Sequence, residues 1–143
     1  MAFTELRRGE NGAENINGLV KDAVGVAAVT YTIGTEAADA INVAGQVVDN
    51  DGDAIAGIRY LTVFLSDDAD GIDKTGTAPA TSVAIGTNGY VINVLEAKIS
   101  FIVQTDATGA FDLTITDTTG ATWYMVAVMG TEASVSDAIT FTT

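Results

Sequence analysis

Residues 105–126 read Thr105-Asp106-Ala107-Thr108-Gly109-Ala110-Phe111-Asp112-Leu113-Thr114-Ile115-Thr116-Asp117-Thr118-Thr119-Gly120-Ala121-Thr122-Trp123-Tyr124-Met125-Val126. Phe111, Leu113 and Ile115 alternate with Asp112, Thr114 and Thr116, which gives a strand one apolar and one polar face and assigns it to an antiparallel sheet with a wet side. An Asp-x-x-Gly unit stands on each flank, with glycine where a turn requires positive φ. Turn, alternating strand, turn and strand follow one another without room for a helix.

The same pattern extends outward. Ile41, Val43, Gly45 and Val47 form one face of a segment whose other face carries Asn42 and Gln46. Asp49-Asn50-Asp51-Gly52-Asp53 and Thr87-Asn88-Gly89 are further breaks with turn chemistry, the latter reading as a hairpin turn. Strands are predicted over 26–33, 40–48, 58–66, 83–85, 90–95, 99–105, 111–116, 122–129 and 135–142. Thr, Val and Ile make up 47 of the 143 residues, which is strand composition. Only Lys21–Ala28 and Glu36–Ala40 admit a helical turn, and neither has an N-cap followed by a sustained apolar face. Short strands at this spacing indicate an all-β sandwich or barrel.

Charge divides the chain. Its formal net charge is -13, with 19 acidic and 6 basic residues. Arg7, Arg8 and Lys21 balance Glu5, Glu10 and Glu14, so residues 1–21 are neutral and the whole excess lies beyond them. The first 25 residues are rich in Gly and Asn and show no 3.6-residue apolar period. They read as an extended arm (1–25), or as a frayed terminus of the kind common to chain ends not tied down by pairing, ahead of a sandwich domain (26–143). They lack the unbroken apolar core of a secretory signal, and the longest apolar runs, such as Tyr124–Met129, are too short to span a bilayer. A soluble protein without a membrane partner is expected.

Several chemistries are disfavoured by composition. The chain has no Cys and no His, so thiolate nucleophiles, an imidazole base and zinc sites of ordinary composition are missing. The strong negative charge opposes nucleic-acid binding, which depends on Lys and Arg displacing counterions. Nothing suggests two carboxyls held across an aromatic-lined sugar cleft. Gly86-Thr87-Asn88-Gly89 is followed by neither Lys nor a helix, so it is not a phosphate loop. The chain reads as a non-enzyme with no cofactor.

Two acidic groups could offer oxygen ligands to calcium: Asp49, Asp51 and Asp53, and the denser set Asp67, Asp68, Asp70 and Asp73 around Gly71. An EF-hand register from Asp49 fails, with Ala54 at the glycine position and Tyr60 in place of the final Glu. The plainer reading of both is that Asp and Gly are turn formers bonded to their own backbone. Of the two, the second set is the weak calcium candidate. Trp123 and Tyr124 are adjacent on one strand and must face opposite sides, one ring to the core and the other toward the surface.

The segment Val43-Ala44-Gly45-Gln46-Val47-Val48-Asp49-Asn50-Asp51-Gly52-Asp53-Ala54-Ile55-Ala56-Gly57-Ile58 resembles the first hairpin of bacterial-type immunoglobulin-like domains, and residues 105–115 with 120–126 resemble the later part of that module. Phe64-Leu65-Ser66-Asp67-Asp68-Ala69-Asp70-Gly71, Thr77-Ala78-Pro79, residues 83–89 and Ser136-Asp137-Ala138-Ile139-Thr140-Phe141 are similar to a family of small virion structural proteins of tailed bacteriophages. The resemblance covers about residues 36–143. It departs at Met129-Gly130-Thr131-Glu132-Ala133, where the family carries a Pro-Asn-Gly-type turn.

The resemblance implies an immunoglobulin-like antiparallel β-sandwich and an acidic structural protein that works in an oligomeric assembly. The expected role is capsid decoration or cement on the virion surface, after synthesis in the host bacterial cytoplasm. The expected partners are the major capsid protein and copies of the chain itself. Phe3, Leu6, Ile16, Leu19 and Val20, with Arg7 and Arg8, are the candidate arm contacts. The alternatives are a receptor- or glycan-binding module of a tail or fibre, which would bind a host-surface ligand, and a tail-tube or connector subunit.

Overall fold

The computed structural model describes residues 28–142, so the arm, its seven candidate contact residues and the possible helical turn beginning at Lys21 lie outside the described residues. Among the described residues there are ten strands: β1 (Ala28–Ile33), β2 (Ala40–Val48), β3 (Tyr60–Ser66), β4 (Ser82–Ile85), β5 (Tyr90–Glu96), β6 (Ser100–Gln104), β7 (Ala110–Thr116), β8 (Thr122–Met129), β9 (Glu132–Val135) and β10 (Ile139–Thr140). All pairings are antiparallel. One sheet has the order β1-β2-β7-β4 and the other β9-β8-β3-β6-β5, with β10 also on β8.

The alternating residues decide which surfaces meet. Ile41, Val43 and Val47 of β2 and Phe111, Leu113 and Ile115 of β7 are buried together with Leu61, Val63 and Leu65 of β3, Phe101 and Val103 of β6, and Trp123 and Met125 of β8. Phe111 lies directly across from Gly45 in the register, and a Cβ at Gly45 would fall 2.4 Å from the ring. The glycine therefore makes room for the core's central aromatic. Trp123 packs edge-on against Phe141 with centroids 5.9 Å apart, while Tyr124 points to the opposite face and is partly exposed.

β1-β2-β7 is faced by β3-β8-β9 in a two-sheet antiparallel sandwich, and β4 takes the remaining place beside β7. Three strands lie between β3 and β7, and β5 and β6 widen the second sheet. The seam beside β1 is fastened by Ser134. Its hydroxyl accepts from the Val29 N–H (2.8 Å) and its carbonyl from the Tyr31 hydroxyl (2.8 Å). Burial of the Tyr31 ring pushes its phenol above the ordinary value, which keeps the donor protonated.

Three local expectations change. Glu36–Ala40 is a tight link between β1 and β2, closed by reciprocal Ala37 and Ala40 backbone bonds, with Ala38 and Asp39 both at positive φ (53° and 62°). Strand pairing overrides the weak helical preference there. The strand expected over 135–142 is reduced to β10, and β9 begins earlier, at Glu132, within the stretch read as a loop; between them the Ser136 hydroxyl takes the place of a backbone acceptor for the Met125 N–H (2.8 Å). The third change concerns Gly86–Gly89, which does not close a hairpin: β4 pairs with β7 and β5 with β6, so the turn carries the chain from one sheet to the other.

Candidate functional surfaces

Asp112 holds that crossing in place. It stands on the polar face of β7 but is buried, because the turn folds over it. Its carboxylate accepts from the Asn42 side-chain amide (2.6 Å) and the N–H groups of Thr87 (3.1 Å) and Asn88 (2.5 Å). The Asp112 backbone joins the same turn, accepting from Gly86 and donating to Asn88. A buried carboxylate requires such donors, since its desolvation is otherwise costly. The group fastens the turn.

Asp49 and Asp106 build two matching turns. The Oδ1 of each accepts from the N–H groups two and four residues on: Asp51 and Asp53 for the first, Thr108 and Ala110 for the second. In each, the glycine three residues on donates to the aspartate carbonyl and has positive φ, 87° at Gly52 and 82° at Gly109. Hydrogen bonds from the Thr108 hydroxyl first, then from the Ala110 N–H, hold the Asp106 carboxyl below its ordinary 3.8. Burial works to raise Asp117, but bonds from the Thr119 hydroxyl and the Ala80 and Thr119 N–H groups outweigh it and leave this carboxyl low as well.

Among the described residues, the carboxylates that converge are those of Asp49, Asp51 and Asp53, whose oxygens lie within 4.8 Å of one another. The structure thus favours the first acidic group over the second as a grouping of oxygens. In the β3–β4 loop Asp67, Asp68, Asp70 and Asp73 are exposed and do not form such a group. Asp70 accepts from the Ile72 N–H (3.1 Å) and Asp67 from the Thr75 hydroxyl (3.4 Å), in keeping with turn chemistry. Gly71 packs this loop onto Val126 and Val135, where a Cβ would fall within 2.8 Å of both side chains.

Charge is graded along the sandwich. The half containing the β1–β2, β3–β4, β5–β6 and β7–β8 connections carries nine carboxylates against Lys74 and Lys98. The other half holds the 49–59, 86–89, 105–109 and 130–131 connections and carries five near its end, against Arg59. Ala28 is at this second end, paired with Val48, so the chain preceding residue 28 joins here.

The second end also begins an apolar surface that the sequence pattern does not mark as a site. Tyr60 on β3 and Tyr90 on β5 flank Gln104 in the register. Both rings are more than half exposed, as are Ile58, Ile92, Val94 and Leu95. The signal lay in β5 itself, where Tyr90, Val91, Ile92, Val94 and Leu95 leave no polar face. A strand apolar on both sides is either central to a sheet or offered to a partner; this one is an edge.

Comparison of the chain with protein-family models and with curated proteins gives no match.

Proposed function

We propose that this chain is a non-enzymatic structural protein of a tailed-bacteriophage particle, a decoration or cement subunit attached to the outside of the head through residues 1–25. The observation that carries the reading is the polarity of the sandwich. The N-terminal stretch, neutral over residues 1–21, joins at the less acidic end, where Ala28 pairs with Val48, while nine carboxylates gather in the opposite half. A subunit seated on another protein needs one end of low charge that can be desolvated, and a solvated outer end that keeps neighbouring copies and particles apart.

The arrangement of exposed groups also favours assembly over recognition at a loop tip. The exposed apolar side chains continue from Tyr60 and Tyr90, the first residues of β3 and β5, along β5 to Leu95, whereas the densest acidic loop is at the far end. A glycan- or receptor-binding module would gather them at one set of loops. Deletion of residues 1–25 tests the proposal: particles assembled with the shortened chain should lack the subunit in cryo-electron micrographs and on gels, while the full chain decorates them. Full occupancy by the shortened chain refutes attachment through the arm, and density on the tail in place of the head refutes the decoration role.

A further inference from the structure

We infer that the apolar surface formed by β5 and the adjoining end of β3 is a self-association site that receives the same surface of a second copy about a twofold axis. The inference concerns the isolated chain and does not depend on the proposed virion role. Ile58, Tyr60, Tyr90, Ile92 and Leu95 together expose roughly 600 Å², the top of the roughly 300–600 Å² range of the largest patch on an ordinary monomer and approaching the about 800 Å² that each partner contributes to a standard interface.

Charge selects the occupant. Residues 75–95 contain no charged side chain, and neither do β3 and β6. Two copies of a chain this acidic would press carboxylates together on most other surfaces, and like charges in apposition oppose association. Here they would meet through neutral rings and aliphatic groups, with Arg59 between Ile58 and Tyr60 and the Glu96–Lys74 pair at the margin. A basic partner would be drawn instead to the acidic half.

Symmetry follows from what else is exposed. Among the described residues the one other large exposed hydrophobic is Ile72, at the far end among Asp67, Asp68, Asp70 and Asp73. A head-to-tail contact needs a second, different apolar surface to receive the first, and the described surface offers none. An apolar patch is complementary to itself, so a closed pair satisfies it. The contact is made by side chains and not by lengthening the sheet: β5 is irregular between Val91 and Asn93 and again between Val94 and Glu96, and such bulges disrupt regular edge pairing.

Sedimentation of the full chain up to about 200 µM should show a monomer–dimer equilibrium. Combining Tyr90→Glu with Ile92→Glu should weaken it at least about a hundredfold while leaving the circular dichroism spectrum and Tm intact, because both side chains are more than half exposed and lie outside the core. Ile72→Glu, at the opposite end, should leave the dissociation constant within about twofold. The chain has no cysteine, so Asn93→Cys supplies a single thiol in the patch. Under oxidation it should give a disulfide-linked dimer, and Ile72→Cys should not. A chain that stays monomeric, an association that survives the paired Glu substitutions, or the absence of the Asn93→Cys cross-link would each overturn the inference.

Discussion

Replacing Asp112 by Ala removes the acceptor for three donors at once. The Asn42 amide, at 2.6 Å, is left on the sheet face, and the Thr87 and Asn88 N–H groups, at 3.1 and 2.5 Å, are left in the sheet-crossing turn. Hydrogen bonds to a charged acceptor contribute about 1.5–3 kcal/mol each. Because Thr87 is exposed and Asn88 only half-buried, water entering the vacated space would satisfy part of the loss. The expected cost is therefore about 2–4 kcal/mol, well short of the sum of three bonds. For a sandwich of this size that lowers Tm by roughly 8–20 °C. Gly86→Ala should disturb the same place from the other side, since its Cβ would fall 1.8 Å from Asp112 Oδ2. The two changes are therefore not additive. Once the carboxylate is gone the remaining close neighbour of the added methyl is the Asn42 amide at 2.9 Å, the far end of a side chain that can turn away, and Gly86→Ala in the Asp112→Ala background should cost less than about 1 kcal/mol. Urea unfolding of the wild type, both single variants and the double variant measures the full cycle. An Asp112→Ala cost below about 0.5 kcal/mol, or strict additivity with Gly86→Ala, would refute the account of the turn as held by this carboxylate.

Other tests address the remaining turns. Gly52→Ala and Gly109→Ala impose the same positive-φ strain, about 1 kcal/mol, but a Cβ at Gly52 meets nothing within 4 Å while one at Gly109 would lie 2.0 Å from the Ile55 carbonyl. Gly109→Ala should therefore be the more destabilising by at least about 2 kcal/mol in the same urea assay, and equal costs would show that the close approach has no consequence. Asp106 and Asp117 are depressed in the folded state, so their contribution is complete above the ordinary carboxyl value of 3.8 and is lost as pH falls below it. Tm should fall with acidification in that range, and Asp117→Asn should flatten the fall; an unchanged slope would remove Asp117 from the cause.

How much of this was legible in the sequence depends on the range of the interaction. Asp106 and Gly109 announce their turn because the bonds that form it span at most four residues. The faces of β2 and β7 were equally plain, since a single polar partner at every second position orients the strand. Gly86–Gly89 was recognisable as a turn but not as a crossing between sheets, because the group that decides its course, Asp112, is more than twenty residues away. The patch on β5 is hidden in the sequence for a different reason. Alternation tells which face is buried only when one face is polar, and Tyr90–Leu95 has residues fit for either. The second acidic set outscored the first on density, yet density along the chain is a poor guide to distance. Asp49, Asp51 and Asp53 converge because Asp49 draws its own loop tight around Oδ1.

The position of β1 determines how the sandwich answers mechanical force. Ala28 enters at the end of the strand, and β1 runs from there alongside β2 through six register pairs, with Ser134 gripping its other flank at Val29 and Tyr31. Antiparallel ladder bonds stand perpendicular to the strand. Tension transmitted through the preceding chain, directed away from that end, runs along β1 and strains all of these bonds together in shear, whereas a pull at right angles would peel them one after another. A subunit tethered by its N-terminal stretch is thereby held along the direction in which its first strand resists most.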